Sequence, residues 1–455
     1  MTRFPEGVLR TLIVLLGLGL MLAGTAPLTA QDAPTPRDTT RVLPPDHPLR
    51  PETPPGVPEK GSRNPIGALL TAPFRLIDRM FYSYAEGLQK ACGSFSGGIT
   101  GEEGLAACGP KHVSWTFGSL GSKSGFWGGG VGIHSDLWSP TGFKTGVTAA
   151  ATWRAYQEYT AYVGWNDPKK RPYLRLTGFY DRDTRDQFWG IGPDTPEGAE
   201  TGYSQEQFGA VVMAGIPESK VIWGDVGVRY EKSFVFTGWN RETPNTVDVF
   251  EDVAGVGPQA ELWGPFANIV LNLTDAPGHP TVGVKVKGRG ALYRSVDEDQ
   301  DFNWVTYGGE VQGHLPLGSE WHILSALVGF DTAEPEEDGD EILFNYLPYL
   351  GGSRRLRGHE TWRFVDRTAA YGTVEYRYRI WQENARDLDK AGAIETAVFY
   401  DLGSVGEELD DIDLTDEHSY GLEFRVYIAD KHLVRLGAAR SDEGTRLNFS
   451  LSDNY

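Results

Sequence analysis

The sequence lacks a second long apolar run, has few cysteines and carries no surplus of basic residues. After residue 30 no stretch reaches the ~18 apolar residues that a spanning helix needs, and the mean hydropathy is −0.35. Two cysteines in 455 residues are too few for a structural zinc site by themselves. A formal net charge of −20 lacks the basic footprint of a nucleic-acid-binding protein. These absences exclude a helical membrane protein and a nucleic-acid partner.

The one apolar run lies at the amino terminus. Arg3 and Arg10 precede the run 12–23, and Leu28-Thr29-Ala30 before Gln31 has the small residues of a cleavage site. We therefore predict a signal peptide over residues 1–30 and export of the chain. A signal anchor is the alternative, and the shortness of the run disfavours it.

Two further segments precede the main body of the chain. Residues 31–64 are rich in proline and have no apolar period, which predicts an extended, disordered periplasmic leader. Residues 65–112 are predicted to contain an amphipathic helix and then a Gly/Ser-rich loop flanked by Cys92 and Cys108. In an oxidising compartment these two cysteines favour a disulfide, which would contribute roughly 3 kcal/mol.

From residue 113 onward the hydrophobic period is two. Val374, Tyr376 and Tyr378, for example, alternate with Glu375 and Arg377. Such strands, together with 57 Gly, 13 Trp, 20 Tyr and 21 Phe, are typical of a transmembrane antiparallel β-barrel. A soluble β-sandwich or propeller is the alternative, but no blade repeat is visible. We predict an all-β fold, an outer-membrane barrel over residues 113–455.

The alternation predicts about sixteen strands, an even number as bacterial barrels prefer. Val113 to Leu120 is a possible seventeenth strand. The predicted strands lie near residues 127–137, 143–154, 156–165, 172–182, 204–215, 220–234, 253–263, 266–274, 281–293, 301–313, 319–331, 370–381, 392–404, 419–429, 431–440 and 445–452.

Between two of these strands the chain leaves strand periodicity and carries a turn rich in glycine and arginine. The turn contains Gly351, Gly352 and the triplet Leu356-Arg357-Gly358, whose glycines allow a tight backbone course. Glu375-x-Arg377 and Phe399-x-Asp401-x-Gly403 follow on the next two strands, where alternation directs Glu375 and Asp401 into the lumen. A guanidinium in a narrow lumen needs a planar acceptor such as a carboxylate.

These three motifs, in this order, resemble the bacterial surface-antigen family of outer-membrane barrels, the BamA/TamA type of assembly and translocation proteins. The resemblance implies sixteen strands and a sixth external loop that folds into the lumen. It further implies that Arg357 bonds Asp401 and that Glu375 and Arg377 complete the network.

The chain departs from the family pattern in three respects. The segment before the strands has no convincing room for the family's periplasmic POTRA domains, so we expect a missing module to be supplied in trans by a periplasmic partner. His359 stands where an aromatic residue is usual, and Ser452 to Tyr455 follow the last strand.

Three functions remain open at this stage. The resemblance favours outer-membrane protein assembly or translocation by a Gram-negative-type outer-membrane barrel in contact with lipid. The alternatives are a passive channel, or a cell-surface barrel whose acidic loops near residues 331–341 and 407–417 bind another protein. No Ser/His/Asp set, His-x-x-Glu or Cys-x-x-Cys spacing is present, so we expect no enzymatic activity, no cofactor and no metal.

Overall fold

The computed structural model describes residues 105–108, 113–118, 128–135, 142–166, 172–217, 221–239, 243–257, 259–276, 279–297, 299–383, 392–428 and 431–451. The predicted signal peptide, proline-rich leader, amphipathic helix and Cys92 lie outside these ranges. Within them, no helix combines the length and the apolar character that a bilayer crossing needs.

The described residues form strands with very little helix. A single short helix, α1, covers Thr246–Val249, and three-residue 3-10 turns occur at Glu197–Ala199, Phe344–Tyr346 and Leu409–Asp411. The strands are β1 Leu105–Cys108, β2 Val113–Gly118, β3 Gly128–Ser135, β4 Phe143–Thr152, β5 Gln157–Trp165, β6 Tyr173–Phe188, β7 Thr201–Ile216, β8 Ile222–Thr237, β9 Ala260–Asn272, β10 Gly283–Ser295, β11 Asn303–Pro316, β12 His322–Pro335, β13 Tyr349–Leu350, β14 Phe364–Val365, β15 Thr368–Glu383, β16 Gly392–Gly406, β17 Glu417–Ile428, β18 Lys431–Ser441 and β19 Gly444–Leu451.

The long strands form one antiparallel meander. Each strand from β2 to β12 pairs with the next along the chain, β12 pairs with β15, and the succession continues to β19. These are sixteen strands, and β1 pairs with the outer edge of β2. The predicted all-β antiparallel barrel of about sixteen strands is confirmed.

One detail of the predicted strand list was wrong and one open alternative is settled, and the two compensate each other in the count of strands. The separate strands near 253–263 and 266–274 are one strand, β9, and Val113–Gly118 is a barrel strand. Gly264 and Pro265 lie where the two predicted strands were separated, and both are part of β9. Pro265 has no N–H to donate, and the ladder from β9 to β10 passes from Phe266 to Trp263 without a partner for either residue between them.

A further difference concerns the predicted loop between the cysteines. Leu105–Cys108 is strand β1, with Cys108 opposite Trp115 of β2. The short strand continues the sheet into a segment whose Gly/Ser content predicted a loop.

The two faces of the barrel strands have opposite character. On β15, Val374 and Tyr376 are 51% and 40% exposed, whereas Arg377 and Arg379 on the alternate positions are buried. A soluble sheet would place the apolar residues inside and the charges outside. The reversed arrangement is the one that lipid requires, with charged side chains directed into the lumen.

Candidate functional site in the barrel lumen

The connection between β12 and β15, residues 336–367, enters the lumen as a narrow hairpin. Strands β13 and β14 pair within it, with Tyr349 opposite Val365 and Leu350 opposite Phe364. We call the residues between them, 351–363, the loop tip. Gly351 and Gly352 begin the tip with φ near 105° and 104°, a conformation that side chains disfavour. A Cβ atom on Gly351 would lie 1.9 Å from the carbonyl oxygen of Glu360.

Leu356, in the loop tip, is held in place by apolar packing. Leu356 adopts a positive φ of 51° and is buried with Leu350, Phe364 and Tyr371. Its strained backbone is compensated by this apolar contact.

Backbone contacts hold the tip against the last three strands. Asn448 on β19 donates to the carbonyl of Arg357 at 2.9 Å, and Ser441 on β18 donates to the carbonyl of Gly358 at 3.1 Å. A Cβ on Gly358 would lie 2.7 Å from that of Ser419 on β17. Only glycine allows the tip backbone to approach the barrel wall this closely.

The side chain of Arg357 is buried among carboxylates. Its Nε and Nη2 atoms donate to the two oxygens of Asp401 at 2.9 and 2.6 Å, and Nη1 donates to Glu375 at 2.6 Å. The guanidinium carbon lies 3.4 Å from the ring centre of Phe399. Burial lowers the pKa of Arg357, but Glu375 and Asp401 more than offset this, so the pKa is raised and the charge is fixed.

The sequence did not identify the other residues of this network. Arg425 on β17 donates to both oxygens of Glu375, at 3.1 and 2.7 Å, and also pairs with Glu423. Arg435 on β18 lies 3.3 Å from Glu423. We call this set of three arginines and three carboxylates the upper ion layer; its members are Arg357, Arg425, Arg435, Glu375, Glu423 and Asp401. Glu423-x-Arg425 has the same spacing as Glu375-x-Arg377, and this repeated pattern could have identified Glu423 and Arg425 from the sequence.

Arg377 does not join this network, and the prediction that it would was wrong. Its guanidinium pairs with Glu395 at 2.9 Å, as does that of Arg379 at 2.9 Å, and the Tyr427 hydroxyl donates to Glu395 at 3.1 Å. Asp401 lies opposite Thr373, and Arg377 is four residues farther along β15, about 13–14 Å away, which puts it beyond the reach of Asp401. We call these four residues the lower ion layer.

The turn between β9 and β10 covers the lower ion layer. Arg377 donates to the carbonyl of Pro280 at 2.9 Å, and Arg379 donates to that of His279 at 3.3 Å. The His279 and Tyr427 rings meet edge to face with centroids 5.3 Å apart. Because β10 and β15 are separated by two strands, this turn extends past β11 and β12 to reach β15.

Gly403, the last residue of the third motif, makes room for the hairpin. A Cβ there would lie 2.9 Å from the side chain of Leu350 and 2.9 Å from the carbonyl oxygen of Ala370. A larger residue would push β13 away from the wall, and the contacts of Leu356 with Leu350 would be lost.

Another external connection covers the entrance of the hairpin. Phe188 is buried against Phe344 and Val365, and Gly192 bridges to Val365. Arg363 donates to the hydroxyl and the carbonyl oxygen of Thr195 at 2.8 and 2.7 Å. The connection between β6 and β7 therefore holds the base of the loop tip from outside.

One family model matches this chain, and solved structures of similar fold are known. The model of the Omp85 superfamily domain matches residues 141–429. The structure of BamA from Haemophilus ducreyi lacking POTRA domains 1–3 has a TM-score of 0.53 at 14% identity, over 82% of this chain and 77% of that chain. CdiB from Escherichia coli has a TM-score of 0.47 at 9% identity, over 78% of this chain and 63% of that chain. No curated protein sequence matches.

Proposed function

Because the chain belongs to the Omp85 superfamily, we propose that this outer-membrane barrel inserts or translocates other proteins while the loop of residues 336–367 closes its lumen. Family membership supports the Gram-negative outer-membrane location. The nature of the client, and the plugging role of the loop, are our proposal.

The observation that carries the proposal is the fixation of Arg357 in the upper ion layer. Its partners lie on β15, β16 and β17, and the backbone of the tip bonds β18 and β19. The tip therefore touches the last five strands of the barrel. Removal of one partner from a buried ion pair costs about 3–5 kcal/mol, so a fully formed tip favours correct assembly of this end of the sheet.

The contents of the lumen favour this function over a passive channel. The loop tip contacts β15 to β19, and the turn at His279 and Pro280 contacts Arg377 and Arg379 of β15. A channel with wide, steady conductance needs a free path for ions, and charges paired at 2.6–2.9 Å offer little attraction to permeating ions. We expect closed or briefly opening barrels in the resting state.

We propose no catalytic activity for this chain. We propose instead that its partners are outer-membrane lipids, a client protein and a periplasmic protein that supplies in trans the binding surface for the client. The network of Arg357, Asp401 and Glu375 is bonded internally, which suits a structural connection more than attack on a substrate.

The test is a deletion of the chromosomal copy in the native host, followed by quantitative comparison of the outer-membrane and exported proteins. Loss of one or a few of these proteins, restored by the wild-type chain and not by Arg357→Ala, is the expected result. Unchanged outer-membrane and exported proteins, with slower uptake of small solutes, would favour the passive channel.

A further inference from the structure

His359 is buried next to Gly358 and has oxygen acceptors at both ring nitrogens. Its side chain is fully buried; Nδ1 lies 3.2 Å from a carboxylate oxygen of Glu443, and Nε2 lies 3.3 Å from the backbone carbonyl oxygen of His418. Nε2 is also 3.8 Å from a carboxylate oxygen of Glu417. A neutral imidazole has one N–H. Once Nδ1–H donates to Glu443, the lone pair of Nε2 faces oxygen atoms.

A third carboxylate completes this group. One ligand atom each from His359, Glu417 and Asp442 lie within 4.8 Å of one another. The three residues come from the loop tip, the start of β17 and the turn between β18 and β19. Because the ligands come from three separate segments, no spacing in the sequence reveals the group.

We propose that His359, Glu417 and Asp442 bind one divalent ion of the zinc class, with water as the fourth ligand. Zinc bonds to histidine nitrogen and carboxylate oxygen are about 2.0–2.2 Å long, so two ligands of one ion lie about 3.4 Å apart at a tetrahedral angle. The 3.8 Å between His359 and Glu417 is close to this value. Asp442 is exposed in a turn, so its side chain can move inward to complete the coordination.

Glu443 has the position of a supporting carboxylate. It accepts from Nδ1 of His359 and, at 2.5 Å, from Nε of Arg363, so it would fix the tautomer in which Nε2 binds metal. Such carboxylate–histidine–metal arrangements orient the ring and raise its basicity.

The formal charge of the cluster also matches a divalent cation. Glu417, Asp442 and Glu443 are three carboxylates, and Arg363 is the cation paired among them. With neutral His359 the four charged groups sum to −2, which one divalent ion offsets.

The ion would connect the loop tip, at His359, to the start of β17 and to the turn after β18, and so would help to hold Arg357 in place two residues away. This role is independent of the function proposed above, because a barrel of any function would be stabilised in the same way. A histidine nitrogen among the ligands favours zinc over calcium, which prefers oxygen ligands.

The test uses the full chain, folded in detergent and stripped with EDTA. Zn²⁺ is titrated by calorimetry, and the temperature at which the compact form is lost is followed on gels, with Ca²⁺ at equal concentration as the comparison. We expect one tight Zn²⁺ site per chain, a higher unfolding temperature with Zn²⁺, and a weaker effect of Ca²⁺.

Variants identify the ligands. Asp442→Asn, at an exposed turn, and His359→Phe should each abolish the tight site, and Glu443→Gln should weaken it about 10- to 100-fold. Asp338→Asn, an exposed acidic residue elsewhere, should leave it unchanged. The proposal is overturned if the folded wild type has no saturable Zn²⁺ site, if Asp442→Asn binds as the wild type does, or if Ca²⁺ binds equally well. If His359→Phe does not fold, Asp442→Asn decides.

Discussion

The guanidinium of Arg357 meets the carboxylate of Asp401 through two parallel hydrogen bonds, at 2.9 and 2.6 Å. The backbone N–H of Arg357 donates to the same carboxylate at 3.0 Å, and Thr373 and Ser419 donate to it at 2.9 and 3.2 Å. Asp401 thus accepts five hydrogen bonds and holds both the side chain and the backbone of the loop tip. A planar, two-point contact of this kind needs both arginine and a carboxylate.

Arg357→Lys tests the geometry separately from the charge. Lysine keeps the positive charge but cannot form the two-point contact, so we expect a loss of roughly 1.5–3 kcal/mol in the free energy of unfolding. The measurement is denaturant unfolding of the detergent-folded barrel, followed by tryptophan fluorescence. Arg294→Lys is the control, because Arg294 pairs with Glu336 at the surface, and it should unfold as the wild type does. Equal stability of Arg357→Lys and the wild type would contradict the account.

Gly358→Ala tests the close approach of the tip to the wall. The added methyl group would lie 2.7 Å from the Cβ of Ser419 and 3.0 Å from the backbone of Arg440, so the tip must move away from the wall. We expect the free energy of unfolding to fall by about 1–3 kcal/mol. Gly313→Ala, where the new Cβ meets nothing within 4 Å, is the matched control. The proportion of compact barrel on unheated gels distinguishes the two. If both variants fold equally well, the tip does not press against the wall as described.

Deletion of residues 351–363 tests whether the loop tip obstructs the lumen. In planar bilayers we expect small, brief openings for the wild type and larger, longer openings for the deletion, because the tip no longer fills the upper lumen. A deletion of residues 337–339, which are exposed in the same connection, should conduct as the wild type does. A wide and steady wild-type conductance would contradict the plugged state.

Glu395→Gln tests the lower ion layer. A neutral amide of the same shape leaves Arg377 and Arg379 buried with a weaker acceptor, which favours their movement away from the carbonyl oxygens of His279 and Pro280. We expect faster hydrogen exchange in the turn between β9 and β10. Glu334→Gln, at an exposed position that accepts from Tyr307, is the control. Unchanged exchange in Glu395→Gln would mean that the turn is held by other contacts.

The sequence was sufficient to predict the fold because the period-two alternation of the strands is visible in a single sequence. On β15, for example, Val374 and Tyr376 face outward and Glu375 faces the lumen. The pairing of Arg357 with Asp401 was expected only from the family resemblance, through the motifs to which the two residues belong. The sequence-based prediction failed at β9, which was predicted as two strands near 253–263 and 266–274, because the ladder to β10 continues past Pro265 without pairing that position.

The partners of Arg377 could not be predicted, because they depend on register between strands. Glu395 lies directly opposite Arg379 on β15, and the sequence does not give that register. His359, Glu417 and Asp442 come together for the same reason, since their proximity depends on where the tip stops along β17 and β18. Local patterns predict which residues face the lumen, whereas the depth of each in the lumen requires the assembled sheet.

The most direct test of the central claim, that Arg357 and Asp401 connect an inward-folded loop to an outer-membrane barrel, is heat-modifiable gel migration of the outer-membrane fraction. Wild type, Arg357→Ala and Asp401→Ala are compared with and without heating. We predict that the wild type is in this fraction and migrates as a compact form unheated. Each substitution should lower the yield of that form, because either one leaves a buried charge without its main partner, at a cost of about 3–5 kcal/mol. A wild-type chain found outside the membrane, or compact forms unaffected by both substitutions, would contradict the account.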